Sequence, residues 1–305
     1  MIGELNTTTS TSLRLAVKVK DYFQLTKFTL SFTVVFSCVI CYLLAPTVVV
    51  YDWKMIILLF IAGMLVTGSA NTINQAVEKD TDAVMKRTAK RPVASGRMSV
   101  EEAYLFAIIS GILGVWMMYY YFNLQSALLS AFSLFLYAFI YTPLKKISSI
   151  SVLVGAFPGA LPCLIGWIAG FPENQPIAWG GGLILFAIQF LWQFPHFWAI
   201  AWVAHGDYTK AGFKLLPSKS GPTKFTALQS VLYAFMMIPV GMLPYYFNMS
   251  GHTSLWILLA SNIFIVVQCV RLYIDMDIKA ARRVMFSSYI YLPVILLALL
   301  ADKLH

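Results

Sequence analysis

Most of the candidate chemistry in this chain sits between Asn71 and Met98, in the run NTINQAVEKDTDAVMKRTAKRPVASGRM. Asn74, Glu78 and Asp82 recur at every fourth residue. On a helix that spacing stacks their oxygens along one stripe, with Asn71 a turn earlier on the same side. Arg87 and Arg91, again four apart, follow. A hard cation such as Mg²⁺ takes a few oxygen ligands and keeps positions open for phosphate oxygens. Guanidinium forks match phosphate geometry. The combined reading is a site for a metal–diphosphate. A mixed acidic and basic run is also what an ordinary solvated loop after a membrane helix looks like. Against that, Asn71, Asn74 and Gln75 carry the polar stripe back into an apolar helix, where polar groups are costly and tend to be functional.

A second constellation lies in AIQFLWQFPHFWAIAWVAHGDY, where Gln189, Gln193 and His196 share one helical stripe. Two readings stand side by side. The stripe is hydrogen-bonded glue between helices, or it faces a substrate cavity. In the second case His196 is an axial ligand to a metalloporphyrin or a proton carrier, with Gln193 and Trp192 beside it. Trp192, Phe194, Phe197, Trp198 and Trp202 serve as membrane packing or as an aromatic wall for a flat or cationic species. The loop His205–Pro217 adds Asp207, Lys210 and Lys214, a second half-site for metal or diphosphate, or a plain solvated loop.

The elements that position these groups follow from composition. Of 305 residues, 59% are hydrophobic and 11% charged, with a mean hydropathy of +0.75. Soluble domains carry about 25% charged residues. The apolar runs are about 20 residues long, so the fold expected is all-α and polytopic. Nine spans are predicted: 28–46, 55–77, 103–122, 126–142, 151–170, 179–203, 225–247, 255–272 and 284–300. Pro143 is expected to end the fourth. Gly155, Pro158, Gly159, Pro162 and Gly166 predict a kinked, closely packed fifth, and Pro239 and Pro244 interrupt the seventh. Residues 1–27 form an interfacial lead-in without a signal-peptide pattern, and residues 28–305 form one transmembrane domain. Twenty of the 22 Lys and Arg then fall on one side, all but Lys54 and Lys303. The positive-inside rule places the N-terminus and both polar loops in the cytoplasm. It also accounts for the net charge of +9 through anionic lipid and anionic substrate rather than nucleic acid. Cys38, Cys41, Cys163 and Cys269 lie in apolar runs and read as small buried filler.

With these residues in view, NQAVEKDTDAVMKRTAKRPVASGRMS resembles the first aspartate-rich motif of the UbiA-type intramembrane prenyltransferases. LWQFPHFWAIAWVAHGDYTKAGFKLLP is similar to the sixth-helix signature of the protohaem IX farnesyltransferase (haem O synthase) branch of that family. YTPLKKIS and GAFPGALPCLIGWIAG look like its fourth-to-fifth region, and the likeness covers roughly residues 21–300. It implies nine helices around a central cavity open to the cytoplasm, in a bacterial inner membrane. It implies transfer of farnesyl from farnesyl diphosphate to a vinyl group of haem B, with hand-over of the product to a haem A synthase or oxidase assembly. By the same resemblance Asn74, Glu78, Asp82 and Asp207 hold Mg²⁺, and Arg87 and Arg91 bind phosphate. His196 is the family's sixth-helix histidine. Position 78 is Glu where the family usually has Asp, and position 211 is Ala where many relatives have a further Asp. Prenylation of a quinone precursor and transport are the competing expectations. The odd number of spans argues against a duplicated transporter.

Overall fold

The computed structural model describes residues 15–218 and 220–304. The chain is helical, in the order α1 (Leu15–Leu25), α2 (Phe28–Leu44), α3 (Trp53–Val77), α4 (Lys79–Val84), α5 (Val100–Tyr121) and α6 (Leu124–Phe135). A π-helical segment, Leu136–Tyr141, leads into α7 (Thr142–Ile147). Then come α8 (Ser151–Ala169), α9 (Trp179–Val203), α10 (His205–Lys210), α11 (Lys224–Tyr246), α12 (His252–Asp275) and α13 (Ile278–Ala301).

Among the described residues eight helical stretches are long and apolar enough to cross a bilayer, and a ninth exists if α1 and α2, bent by 52°, count as one. α2 has only 17 residues, about 25 Å of rise, short of a hydrocarbon core of about 30 Å. α1 exposes Leu15, Val19 and Phe23 at helical spacing, and residues 1–14 of the expected lead-in lie outside the described residues.

Consecutive spans pack side by side in a ring that α13 closes onto α2, with α2–α8 and α9–α13 as inner contacts. The α2–α8 contact is possible because Gly166 has no side chain: a Cβ there would lie 1.9 Å from the Cys38 carbonyl oxygen. This close approach, with the apolar core around Cys41, Leu161, Ile168, Leu185 and Ile295, fills the end of the ring away from the basic loops. At that far end the Lys303 ammonium donates to the carbonyls of Leu43, Ala45 and Val48, at 2.8, 2.8 and 2.9 Å. It caps the C-terminus of α2, where the helix dipole favours a cation. Burial lowers its pKa from the ordinary lysine value.

Three expectations are corrected. Pro143 does not end the fourth span. The preceding π segment takes up an extra residue, Pro143 sits in the first turn of α7, and the helix runs on to Ile147. α11 runs unbroken through Pro239 and Pro244. α13 begins at Ile278, so Lys279, Arg282 and Arg283 are helical, and only Met276 and Asp277 separate it from α12. The fifth span, α8, is closely packed as its glycines suggest: added Cβ atoms at Gly155 and Gly159 would meet Tyr141 and Gln193.

Candidate active site

The polar stripe of α3 survives its own helix end. α3 stops at Val77, Glu78 forms the joint at φ −94°, and α4 restarts at Lys79. The hydrogen bonds Glu78 N–H to Asn74 O and Asp82 N–H to Glu78 O carry the register across the joint. Asn74, Glu78 and Asp82 are all buried.

Each of the three is engaged by a basic group from a different element. Lys27 Nζ donates to Asn74 Oδ1 at 2.8 Å. Arg91 Nη1 donates to Asp82 Oδ2 at 2.6 Å. The Lys145 ammonium lies against Glu78 Oε1. Lys27 stands at the hinge between α1 and α2 in a left-handed conformation, φ 49°. Gln75 fixes that hinge by donating to the carbonyls of Gln24 and Leu25. Lys145 is delivered by the π segment and α7, and its ammonium lies 4.9 Å from the Tyr141 ring centre and 5.3 Å from that of Phe213. Neither lysine was singled out in the sequence. Both sit at helix ends where basic residues usually mark only the inner membrane face, so only their placement against the stripe reveals them.

Residues 85–98 are not a solvated strap. Val93 and Met98 are buried with Leu25, Ala76 and Ala103 in a small core. Arg97 binds Asp21 and Gln24 of α1. This anchoring aims Arg91 at Asp82. Arg87 reaches the other polar loop, donating to Tyr208 Oη at 2.7 Å. That loop is tied down again where Lys214 N–H donates to Lys145 O.

The second constellation divides. Gln189 Nε2 donates to Gly159 O, and Gln193 Nε2 donates to Ala156 O. These two glutamines are therefore glue between α9 and α8, which corrects the expectation that Gln193 binds haem: its amide is spent on backbone carbonyls. His196 is different. Its Nδ1 is 2.8 Å from Ser288 Oγ, and Ser288 Oγ donates its one proton to Met285 O at 2.6 Å. Ser288 must therefore accept, so the proton of neutral His196 is on Nδ1 and Nε2 carries a free lone pair. The imidazole stacks on Trp192 with centroids 4.5 Å apart, and Trp192 Nε1 donates to Ser288 O. Tyr289 meets the His196 ring edge-on at 5.3 Å. Ser288 had no signal in the sequence.

Three further expectations are corrected. Asn71 does not line the site: its amide donates to Ser31 Oγ and Thr26 O, fastening α3 to α2. Asp207 is not gathered with Glu78 and Asp82, since among the described residues no three acidic, histidine or cysteine side chains form a group that could hold an ion. Lys210 and Lys214 are exposed, and the two loops meet instead through Arg87 and Tyr208.

The remaining donor set fits a hard cation. Asp82 Oδ1 is buried without a partner, an orphan acceptor that calls for a ligand. Asn74 and Glu78 supply neighbouring oxygens, the hardness Mg²⁺ prefers.

Residues 34–291 match the UbiA prenyltransferase family. The chain is 47% identical to a protoheme IX farnesyltransferase of Cytophaga hutchinsonii, over 95% of this chain and all of that one. It is 40% identical to that of Flavobacterium johnsoniae, over 93% and 94%. The mitochondrial protoheme IX farnesyltransferase of Arabidopsis thaliana is 34% identical over 92% of this chain and 64% of its own. Among solved structures, one from work on digeranylgeranylglyceryl phosphate synthase superposes with a TM-score of 0.77 at 21% identity, covering 93% and 98% of the two chains. A UbiA homologue from Archaeoglobus fulgidus bound to GPP and Mg²⁺ gives 0.65 at 16%, covering 92% and 99%. At those identities the structural likeness is one of fold. The family match spans most of the chain and the relatives are similar over nearly its full length, so the chain belongs to the UbiA prenyltransferase family.

Proposed function

We propose that this enzyme transfers a farnesyl group from farnesyl diphosphate to a vinyl group of protohaem IX, with addition of water, giving haem O and diphosphate. Its setting is a bacterial inner membrane with the site toward the cytoplasm. The product is a lipid-bound haem suited to hand-over to a haem A synthase or an oxidase under assembly. The observation that carries the reading is a buried oxygen stripe faced by three basic side chains, together with a buried histidine on α9 whose Nδ1 is engaged by Ser288. The near-full-length identity to protoheme IX farnesyltransferases supports it.

Asn74, Glu78 and Asp82 would hold Mg²⁺, which when bound neutralises charge on a departing diphosphate. Arg91, Lys27 and Lys145 are the basic side chains nearest those ligands and offer donors to the phosphate oxygens. Arg87 does so from the loop's other side. The ring of Tyr141, 4.9 Å from the Lys145 ammonium and packed against Tyr137, is suited to an allylic cation once the C–O bond has ionised. The vinyl carbon then attacks, and the porphyrin-stabilised cation is quenched by water, which loses a proton. His196 Nε2 offers its lone pair either to that proton or to the haem iron. The optical spectrum of bound haem separates these uses, because loss of an axial nitrogen shifts it and loss of a proton acceptor does not.

The test is to extract pigment from cells making the chain and to incubate purified protein in nanodiscs with haem B, farnesyl diphosphate and Mg²⁺. A product heavier by farnesyl plus hydroxyl and more hydrophobic than haem B is expected. Unchanged haem, with prenylation of an aromatic acid instead, would show that the enzyme serves quinone synthesis.

A further inference from the structure

We infer that Lys27, Arg91 and Lys145 act as built-in counter-ions that make metal binding conditional on the diphosphate, so that ion and prenyl diphosphate enter the site as one unit. The inference rests on the reading of the α3–α4 stripe as a metal–diphosphate site. Lys27 is its key positioning residue.

Three contacts carry it. Asn74 Oδ1, Asp82 Oδ2 and Glu78 Oε1 each already face a protein cation, Lys27, Arg91 and Lys145 respectively. Asp82 is 1% exposed and Glu78 5%, so solvent screens these charges little. Three basic side chains stand against the oxygens of two carboxylates and one amide. A bare divalent ion must therefore take oxygens from groups that already hold them. Lys145 so displaced would be left buried and unpaired, which is costly, and Lys27 and Arg91, both half-buried, would each lose their acceptor.

A diphosphate ester removes both obstacles. It is multiply anionic and offers fresh acceptor oxygens to the displaced ammonium and guanidinium groups. The ligand oxygens are then freed for the ion in the same event. The geometry is held ready for this exchange. Lys27 is fixed by the left-handed hinge and by Gln75, Lys145 by the π segment and α7, and Arg91 by a loop with its own small core. A useful consequence is that free metal does not sit in an open site beside haem. A second consequence is reciprocity: whatever factor the diphosphate adds to metal affinity, the metal adds to diphosphate affinity.

The experiment uses the full chain in nanodiscs, with empty discs as control. The probes are Mn²⁺ and farnesyl thiolodiphosphate, whose C–S bond resists ionisation, and retention of each is followed by ultrafiltration. The wild type is expected to bind Mn²⁺ at least about 10-fold more tightly with the analogue than without it, within the usual 5–150-fold span of coupled sites. The analogue should gain by the same factor from Mn²⁺. Lys27→Met is expected to raise the affinity for Mn²⁺ alone and shrink the coupling, and Lys27→Arg to restore it. The wild-type linkage needs no variant to fold. Equal Mn²⁺ retention with and without the analogue overturns the inference, as does weaker binding of Mn²⁺ alone by a folded Lys27→Met. If the analogue is not retained at any Mn²⁺ concentration, the diphosphate reading of the site falls as well, so the two failures are told apart.

Discussion

Asp82 is the most heavily committed single residue in the interior. Its Oδ2 is taken by Arg91 while its Oδ1 is buried without a partner, and its backbone carbonyl accepts from Thr88 Oγ1. Asp82→Asn keeps the shape but removes the charge that both Arg91 and a metal ion would meet. The expected result is a fall in kcat of about 100- to 1,000-fold, the cost of one preorganised electrostatic group, measured as the rate of product formation from haem B. Ser288 is the corresponding test beside His196. In Ser288→Ala the His196 Nδ1–H loses its acceptor and the tautomer is no longer fixed, while Trp192 keeps its bond to the main-chain carbonyl at that position. A loss of about 10- to 100-fold is expected from such an orienting contact. The rate should be partly regained in Ser288→Thr, which keeps the hydroxyl; a merely structural role would not respond to that rescue. Glu78, Asp82 and His196 were legible because their residue types are rare in apolar helices. Lys27, Lys145 and Ser288 were not, because their types are ordinary at their positions and only a partner from another helix gives them a role.

At the scale of elements, α8 is the helix on which the ring turns. It contacts α2, α6 and α9, and its glycines face α2, α9 and the π segment. Gly166 faces a backbone carbonyl, which cannot rotate away. Gly166→Ala should therefore force α2 and α8 apart and destabilise the fold by about 1–3 kcal/mol, the usual cost of overpacking. Gly159→Ala meets the far end of the Gln193 side chain instead and should cost less. Thermal unfolding in detergent compares the two, and an inverted order would refute the assignment of the α2–α8 contact as the rigid one. The spacing of glycines and prolines announced close packing in α8. It did not reveal that a π segment would carry the fourth span past Pro143, because that depends on how an extra residue is absorbed by the turns before it. Nor did it separate Gln193 from His196, which share a stripe yet meet different neighbours: backbone carbonyls on α8 in one case, a serine on α13 in the other.

For the whole molecule, the ring is filled at one end and chemically dressed at the other, and the orientation of that asymmetry is testable. The four native cysteines are buried, so single introduced cysteines can be read cleanly. Lys54→Cys and Lys86→Cys change exposed residues on opposite sides. In intact spheroplasts a membrane-impermeant thiol reagent should label the variant at Lys54 and spare the variant at Lys86 until the cells are lysed. The reverse pattern would overturn the cytoplasmic placement of the site.

The amino-acid sequence by itself determined that this is a helical membrane protein and where its spans lie, because a bilayer demands about 20 apolar residues per crossing and self-satisfied backbone. It also determined which stripe carries the acidic oxygens, because a spacing of four is a property of one helix. Tertiary structure decided which of those polar groups are free for chemistry. Asn71 and Gln193 are consumed by neighbouring helices, Asp207 stands apart from the other carboxylates, and Lys27 and Lys145 are brought to the stripe. The physical reason is that a buried polar side chain must find a partner, and which partner it finds is set by the packing of helices far apart in the chain.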